Sequence, residues 1–162
     1  MSAPMTFTIT CGYCGVTANY VGWASSYSFG SPDLDTRPPE DDRFTMNTML
    51  VKKCKSCAYC NANIKEIPDN LEAIINSKKY QDLLSNEEFP EKAIQFLCKS
   101  LILDGNYDLE GAAWASLHAA WNCDDAEKPV QAKYCRERSI ELFYLANATN
   151  SLHFEKKVTF QL

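Results

Sequence analysis

The chain has little of what several functional classes require. Its 162 residues hold no apolar run approaching the roughly 18 that a membrane span needs. The opening "MSAPMTFTIT" has neither a basic start nor an apolar core, so no secretory leader is expected and the cytosol is the expected compartment. Only two histidines occur, His118 and His153, which leaves few bases for a nucleophilic side chain. Basic charge is also scarce. The net charge is −5, residues 1–63 balance five basic side chains against five acids, and the remainder carries the whole deficit. Only Lys52, Lys53 and Lys55 cluster, beside cysteines, which argues against a nucleic-acid track. Hydrophobic residues at 46% describe a globular chain, one domain or a small module fused to a larger one.

Cysteine, by contrast, is plentiful: eight occur, and in a reducing compartment they read as metal ligands or core thiols sooner than disulfides. "CGYCG" and "CKSC" are two C-x₂-C pairs with thirty-nine residues between them. Each pair can grip a metal from a tight turn, and two pairs complete a tetrahedral shell of four sulfurs. Gly15 suits the first turn, whose backbone must bend to aim amides at sulfur. Soft thiolates in this arrangement select zinc, with iron as a substitute, and such a closed shell stabilises a fold without performing chemistry. The candidate ligands are Cys11, Cys14, Cys54 and Cys57. Cys60 is the alternative to Cys54, because "CKSCAYC" holds two overlapping C-x₂-C registers; "VKKC", read as a strand entering the turn, favours Cys54. Cys98, Cys123 and Cys135 fall on predicted helices among apolar neighbours and read as packed thiols. His118 and Cys123 lie five residues apart on one helix, a poor spacing for proton transfer.

Along the chain, "MTFTITC" (5–11) alternates apolar residues with threonines and predicts a half-buried strand. "ANYVGWASSYSF" predicts a second short strand and "TMLVKKC" a third. After "NANIKEIPDN" the pattern turns helical. Asp69 or Asn70 can cap "LEAIINSKKYQDLL". Pro90 opens "EKAIQFLCKSLILDG", with Ala93, Phe96, Leu97 and Leu101 on one stripe and Gly105 as its stop. Asp108 caps "LEGAAWASLHAAWNC", and Pro129 opens "PVQAKYCRERSIELFYLANAT". Short loops between these helices predict antiparallel neighbours. Trp114, Leu117, His118 and Trp121 follow the W-x₂-L-G-x₂-Y spacing of a tetratricopeptide helix, so this half is TPR-like. The tail "SLHFEKKVTFQL" alternates in a strand-like way and is expected to pair with residues 5–11 or to fray.

The stretch between the cysteine pairs, residues 26–49, reads as a long ordered loop, with Pro32, Pro38 and Pro39 limiting its freedom. Asp33, Asp35 and Arg37 are its candidate ligand-binding side chains. With Glu40, Asp41 and Asp42 they offer hard oxygens to a divalent cation; a loop-stabilising Asp–Arg pair is the competing reading.

Together "CGYCG", "SFGSPDLDTRPPE", "CKSCAYC" and "AAWASLHAAWNCDDAE…YCRER" resemble an uncharacterised bacterial family that fuses a zinc ribbon to TPR-like helices. The resemblance covers about residues 8–140. The family's C-P-x-C-G knuckles map onto Cys11, Cys14, Cys54 and Cys57 and leave Cys60 over. Gly12 and Lys55 stand where the knuckle prolines do, and Ala58 stands for the second glycine. The resemblance implies an α+β chain. Its first part is a zinc-ribbon-like β module over 1–66, with the 26–49 loop inserted, packed on an antiparallel TPR-like helical bundle over 67–150; a tail follows at 151–162. The expected role is a non-enzymatic, zinc-stabilised adaptor that takes a protein or peptide in a groove near Trp114, His118 and Trp121. A ligand-binding protein or enzyme built on Asp33, Asp35 and Arg37 is the alternative, and a nucleic-acid-binding ribbon the second.

Overall fold

The computed structural model describes residues 3–23 and 30–149 and is α+β. It divides into two compact units, Met1–Leu71 and Glu72–Leu162.

In the first unit, β1 (Pro4–Thr10) pairs antiparallel with β2 (Thr17–Trp23), in register from Pro4↔Trp23 to Thr10↔Thr17. The threonine face predicted for β1 forms a polar cross-strand ladder: Thr8 Oγ1 donates to Asn19 Oδ1 at 2.9 Å, and the Thr10 and Thr17 hydroxyls meet at 2.7 Å. The other face is less covered than the alternation suggests, since Met5 and Phe7 are exposed and only Ile9 is half-buried. A second, smaller hairpin pairs β3 (Lys52–Lys53) with β4 (Cys60–Asn61). The buried residues of this unit are few: Cys11, Val51, Cys54, Tyr59, Cys60, Ile64 and Leu71. So small a core falls short of what an independent domain normally needs without a metal or cross-link.

Two expectations for this half are corrected. The long loop is not structureless to residue 49, and "TMLVKKC" is not one strand: Glu40–Leu50 forms a helix, α1, and the strand shrinks to Lys52–Lys53. Pro39 sits just before the helix with φ −53°, and its carbonyl accepts the first helical bond, from Arg43 N at 3.0 Å. Glu40, Asp41 and Asp42 occupy the first turn, where carboxylates complement the positive end of the helix dipole. No residue of α1 is buried, so it leaves no apolar period to read. The part of the second predicted strand beyond Trp23 lies outside the described residues, as does the tail after residue 149.

The second unit is helical: α2 (Leu71–Ile75, which begins at the boundary), α3 (Lys78–Leu84), α4 (Glu91–Gly105), α5 (Leu109–Asp125) and α6 (Pro129–Thr149). The single helix expected over 71–84 is broken at Asn76–Ser77. Ser77 Oγ donates to Ile74 O at 2.6 Å, closing α2, and accepts from Tyr80 N at 3.3 Å, capping α3. The three long helices begin where the sequence places them, and Asp108 caps α5 by accepting from Gly111 N at 2.9 Å. Gly105 is the last residue of α4, yet the left-handed turn falls on Tyr107, φ 64°. Asp108 N then reaches Leu103 O at 2.9 Å, as Lys128 N reaches Cys123 O at 2.8 Å after left-handed Glu127. Both turns are Schellman closures made without glycine.

Alanines and serines let α5 lie close between α4 and α6. Ala112, Ala113, Ala115, Ser116, Ala119 and Ala120 are all buried. Ser100 Oγ donates to Ala112 O (2.7 Å), Ser116 Oγ to Cys135 O (2.9 Å) and Ser139 Oγ to Ala113 O (2.8 Å). As the residue number falls from 116 to 113 on α5 it rises from 135 to 139 on α6, so the pair is antiparallel. Each buried hydroxyl is satisfied by a neighbouring helix's carbonyl, which fixes the helices' axial register.

Candidate metal centre

The two C-x₂-C pairs are the turns of the two hairpins, and the turns repeat one hydrogen-bond pattern. In the first, Cys11 N donates to Val16 O (2.9 Å) and Gly15 N to Cys11 O (2.9 Å). In the second, Cys54 N donates to Tyr59 O (2.8 Å) and Ala58 N to Cys54 O (3.1 Å). The residue after the second cysteine is left-handed in both, Gly15 at φ 75° and Ala58 at φ 61°. That conformation turns the following amides back toward the sulfurs. The Cys11 thiol takes backbone bonds from Tyr13 and Cys14, that of Cys14 from Val16, that of Cys57 from Tyr59, and Ser56 N lies 3.5 Å from Cys54 Sγ. Such N–H···S bonds stabilise thiolate charge.

The Sγ atoms of Cys11, Cys14, Cys54 and Cys57 all lie within 4.8 Å of one another. Cys11 and Cys57 are 3.8 Å apart and Cys14 and Cys54 3.5 Å. A tetrahedron of thiolates at the ordinary zinc–sulfur distance of ~2.3 Å has an edge of about 3.8 Å, so the four sulfurs are positioned to bind a metal ion. Burial pushes the Cys11 and Cys57 thiols up, whereas the Val16 amide, the largest influence on exposed Cys14, draws that thiol down to about 7. A cation at the centre would favour the thiolate at all four positions.

Cys60 does not join the group. It is fully buried in β4, opposite Lys53, and its thiol donates to Ala58 O at 3.4 Å. Gly12 stands where a knuckle proline would be for a reason the structure supplies: its N–H donates to Ile64 O at 2.8 Å, which proline cannot do. Any β-carbon there would also run into the Lys65 carbonyl. Lys55, the other replacement, donates from Nζ to Asn19 O at 2.6 Å and lies over the Tyr20 ring at 5.3 Å, tying the second knuckle to β2. Sequence spacing carries no trace of these second-layer contacts, although the unusual residues at 12 and 55 mark where they fall.

The other candidate residues lie elsewhere. Arg37 and Asp33 form an ion pair at 2.9 Å, and Asp33 N bonds Arg37 O across the turn at 2.9 Å. Among the described residues, Asp33 and Asp35 do not belong to a group with three ligand atoms close enough to share a metal. In the helical unit, His118 lies 4.9 Å from Trp121, 5.3 Å from Phe96 and 6.2 Å from Trp114, ring centre to ring centre. Trp121 is only 4% exposed and belongs to the interior, while Trp114 reaches the surface at 37%. Burial, with a smaller contribution from Lys99, pushes His118 down to about 4, so the ring is neutral at pH 7. Cys98, Cys123 and Cys135 are fully buried.

Among the described residues no helix is long and apolar enough to cross a membrane. No family model, curated protein or solved structure matches the chain.

Proposed function

We propose that Cys11, Cys14, Cys54 and Cys57 hold a structural zinc ion in a zinc-ribbon-like module, and that the helical unit is a TPR-like adaptor for a protein or peptide. The observation that carries the metal half is the tetrathiolate cluster, with backbone amides directed at its sulfurs. Four thiolates leave no open position for substrate or water, so the role assigned to the ion is structural. The small core of the first unit supports the same role, because metal binding free energy becomes folding free energy in such a unit. The likeness of both knuckles and the "FGSPDLDTRPPE" segment to an uncharacterised bacterial ribbon-plus-helix family belongs to the same proposal.

The adaptor half is supported by an exposed face on α6. Val130, Tyr134, Ile140, Tyr144 and Leu145 are exposed and fall on one side of the helix at its natural spacing. Large aromatic and aliphatic groups held in water on one face suit a peptide-binding surface better than a solvated one.

Cobalt loading tests the metal half. The wild-type chain and Cys60→Ser should show one tetrahedral tetrathiolate spectrum per chain, and Cys54→Ser should lose it. A full cobalt signal in Cys54→Ser with loss in Cys60→Ser would overturn the ligand set. For the adaptor half, in-cell cross-linking should yield a defined partner that Tyr134→Ser plus Tyr144→Ser abolishes; an unchanged product would refute that face.

A further inference from the structure

Beside the metal knuckles, the first unit contains a cleft of about 380 Å³, within the range of small-molecule sites. Its walls come from β1, β2, the last turn of α1, β3 and the segment after β4. One part is apolar. Phe7, Ile9, Trp23 and Met49 line it, and the Phe7 ring lies across Gly22, where a β-carbon would collide with it. The absence of a side chain at Gly22 therefore leaves room for the Phe7 ring on this wall. Trp23 is fixed from behind by an edge-to-face contact with Phe44 of α1, ring centres 6.4 Å apart.

The polar part is cationic. Lys52 and Lys65 both line the cleft, and none of its described lining residues is acidic. Lys52 Nζ has one carbonyl acceptor, Ala62 O at 3.3 Å, for three donor hydrogens. Neither lysine pairs with a carboxylate among the described residues; the nearby Glu66 carboxylate is engaged by Asn63 Nδ2 at 3.0 Å. A third donor is left over. Trp23 Nε1–H is buried and finds no acceptor among the described residues, a rare condition for an indole in a protein interior.

Two ammonium groups, an orphan N–H and an aromatic wall together select a particular chemistry. We propose that the cleft binds a small organic carboxylate, its apolar body against Phe7, Ile9 and Trp23 and its oxygens shared by Lys52, Lys65 and the Trp23 indole N–H. A carboxylate has two oxygens with about four lone-pair sites, enough for all three donors. The volume suits a body of roughly ten heavy atoms. Nothing in the metal-module or adaptor readings assigns a ligand here, and the test below leaves those readings standing if it fails.

3-Phenylpropionate is a suitable probe, with 3-phenylpropanamide and inorganic phosphate as comparisons. The zinc-loaded, ¹⁵N-labelled full chain is titrated with each, following the Trp23 indole cross-peak assigned by its loss in Trp23→Phe. The acid should shift that peak saturably with millimolar or tighter affinity, as befits so small a ligand. The amide should bind roughly ten-fold more weakly, and Lys52→Met or Lys65→Met should each weaken the acid several-fold while leaving the amide unchanged. Equal affinity of acid and amide, an unmoved indole peak, or preference for phosphate would overturn the proposal. The acid–amide comparison needs no variant, so a misfolded substitution cannot rescue or sink it.

Discussion

His118 makes the helical unit's stability depend on pH in a way that can be worked out in advance. Its ring is enclosed by Phe96, Trp114 and Trp121, its Nδ1 has no partner among the described residues, and its pKa is pushed down to about 4. The unfolded chain would protonate the same ring near 6.5. Between those values the unfolded state binds the proton and the folded state does not. The stability His118 contributes is therefore fully present above pH 6.5 and lost as pH falls through about 4. About 2.5 pH units at 1.36 kcal/mol each amount to roughly 3 kcal/mol. For a helical unit of this size that corresponds to a melting shift on the order of 15 °C. Thermal melts followed at 222 nm should be run from pH 7.5 to 4 on the wild-type chain and on His118→Phe, which keeps an aromatic ring among the others. Carboxylates and metal loss affect both chains alike, so the difference between the two curves isolates the histidine. Its slope should be near zero above pH 6.5 and steep below. Parallel curves through this window, or an imidazole proton resonance of His118 titrating near 6.5, would refute the reasoning.

The knuckles offer a second test through backbone conformation alone. Ala58 occupies a left-handed position that costs an L-residue about 1–2 kcal/mol, partly offset by the greater unfolded-state freedom of glycine. Ala58→Gly should therefore tighten zinc by roughly three-fold in competition with a chromophoric chelator. Gly15→Ala, whose added β-carbon would meet nothing within 4 Å, should weaken it by about ten-fold; a change of the same sign in both variants would contradict the assigned conformations. Removing the ion with a strong chelator should release amide protection throughout 3–71 in hydrogen exchange while α4–α6 stay protected. Uniform loss across both units would show that the metal supports more than its own unit.

How much of this was legible in the sequence depends on how far apart the determining residues lie. Helices α4, α5 and α6 were readable because each carries its own start signal, Pro90, Asp108 and Pro129, and the first two a buried face. The paired cysteines were readable because ligands three apart must sit on one turn. Helix α1 was not, since a helix with no buried residue has no apolar rhythm, and only Pro39 followed by three acids marked it. The break at Ser77 was hidden in a continuous helical pattern, because one hydroxyl both closes α2 and caps α3. Trp121 shares the helix face of Trp114 by spacing, yet the depth of the neighbouring helices puts one inside and leaves the other at the surface. The cleft was out of reach altogether. Its walls draw one to three residues from each of five segments, and neither Lys52 nor Lys65 is unusual until both are seen beside Trp23.

The metal cluster and the cleft are built from the same pieces, which bears on what the metal does. Strand β1 supplies Phe7 and Ile9 to the cleft and ends on Cys11. Strand β3 supplies Lys52 and enters Cys54 one residue after its end. The segment carrying Lys65 is pinned to the first knuckle through Gly12 N to Ile64 O, with the Lys65 carbonyl close over the Gly12 α-carbon. Each wall is thus anchored within a few residues of a metal-ligating sulfur. A seven-residue hairpin with a largely exposed face and a two-residue hairpin cannot hold such an arrangement by pairing alone, since isolated two-stranded hairpins are marginal in water. Four sulfurs drawn to one ion would fix the two turns relative to each other, and the cleft walls with them. In this unit an ion with no open coordination position would still govern ligand binding, by setting the distance between the two lysines and the indole they share a ligand with.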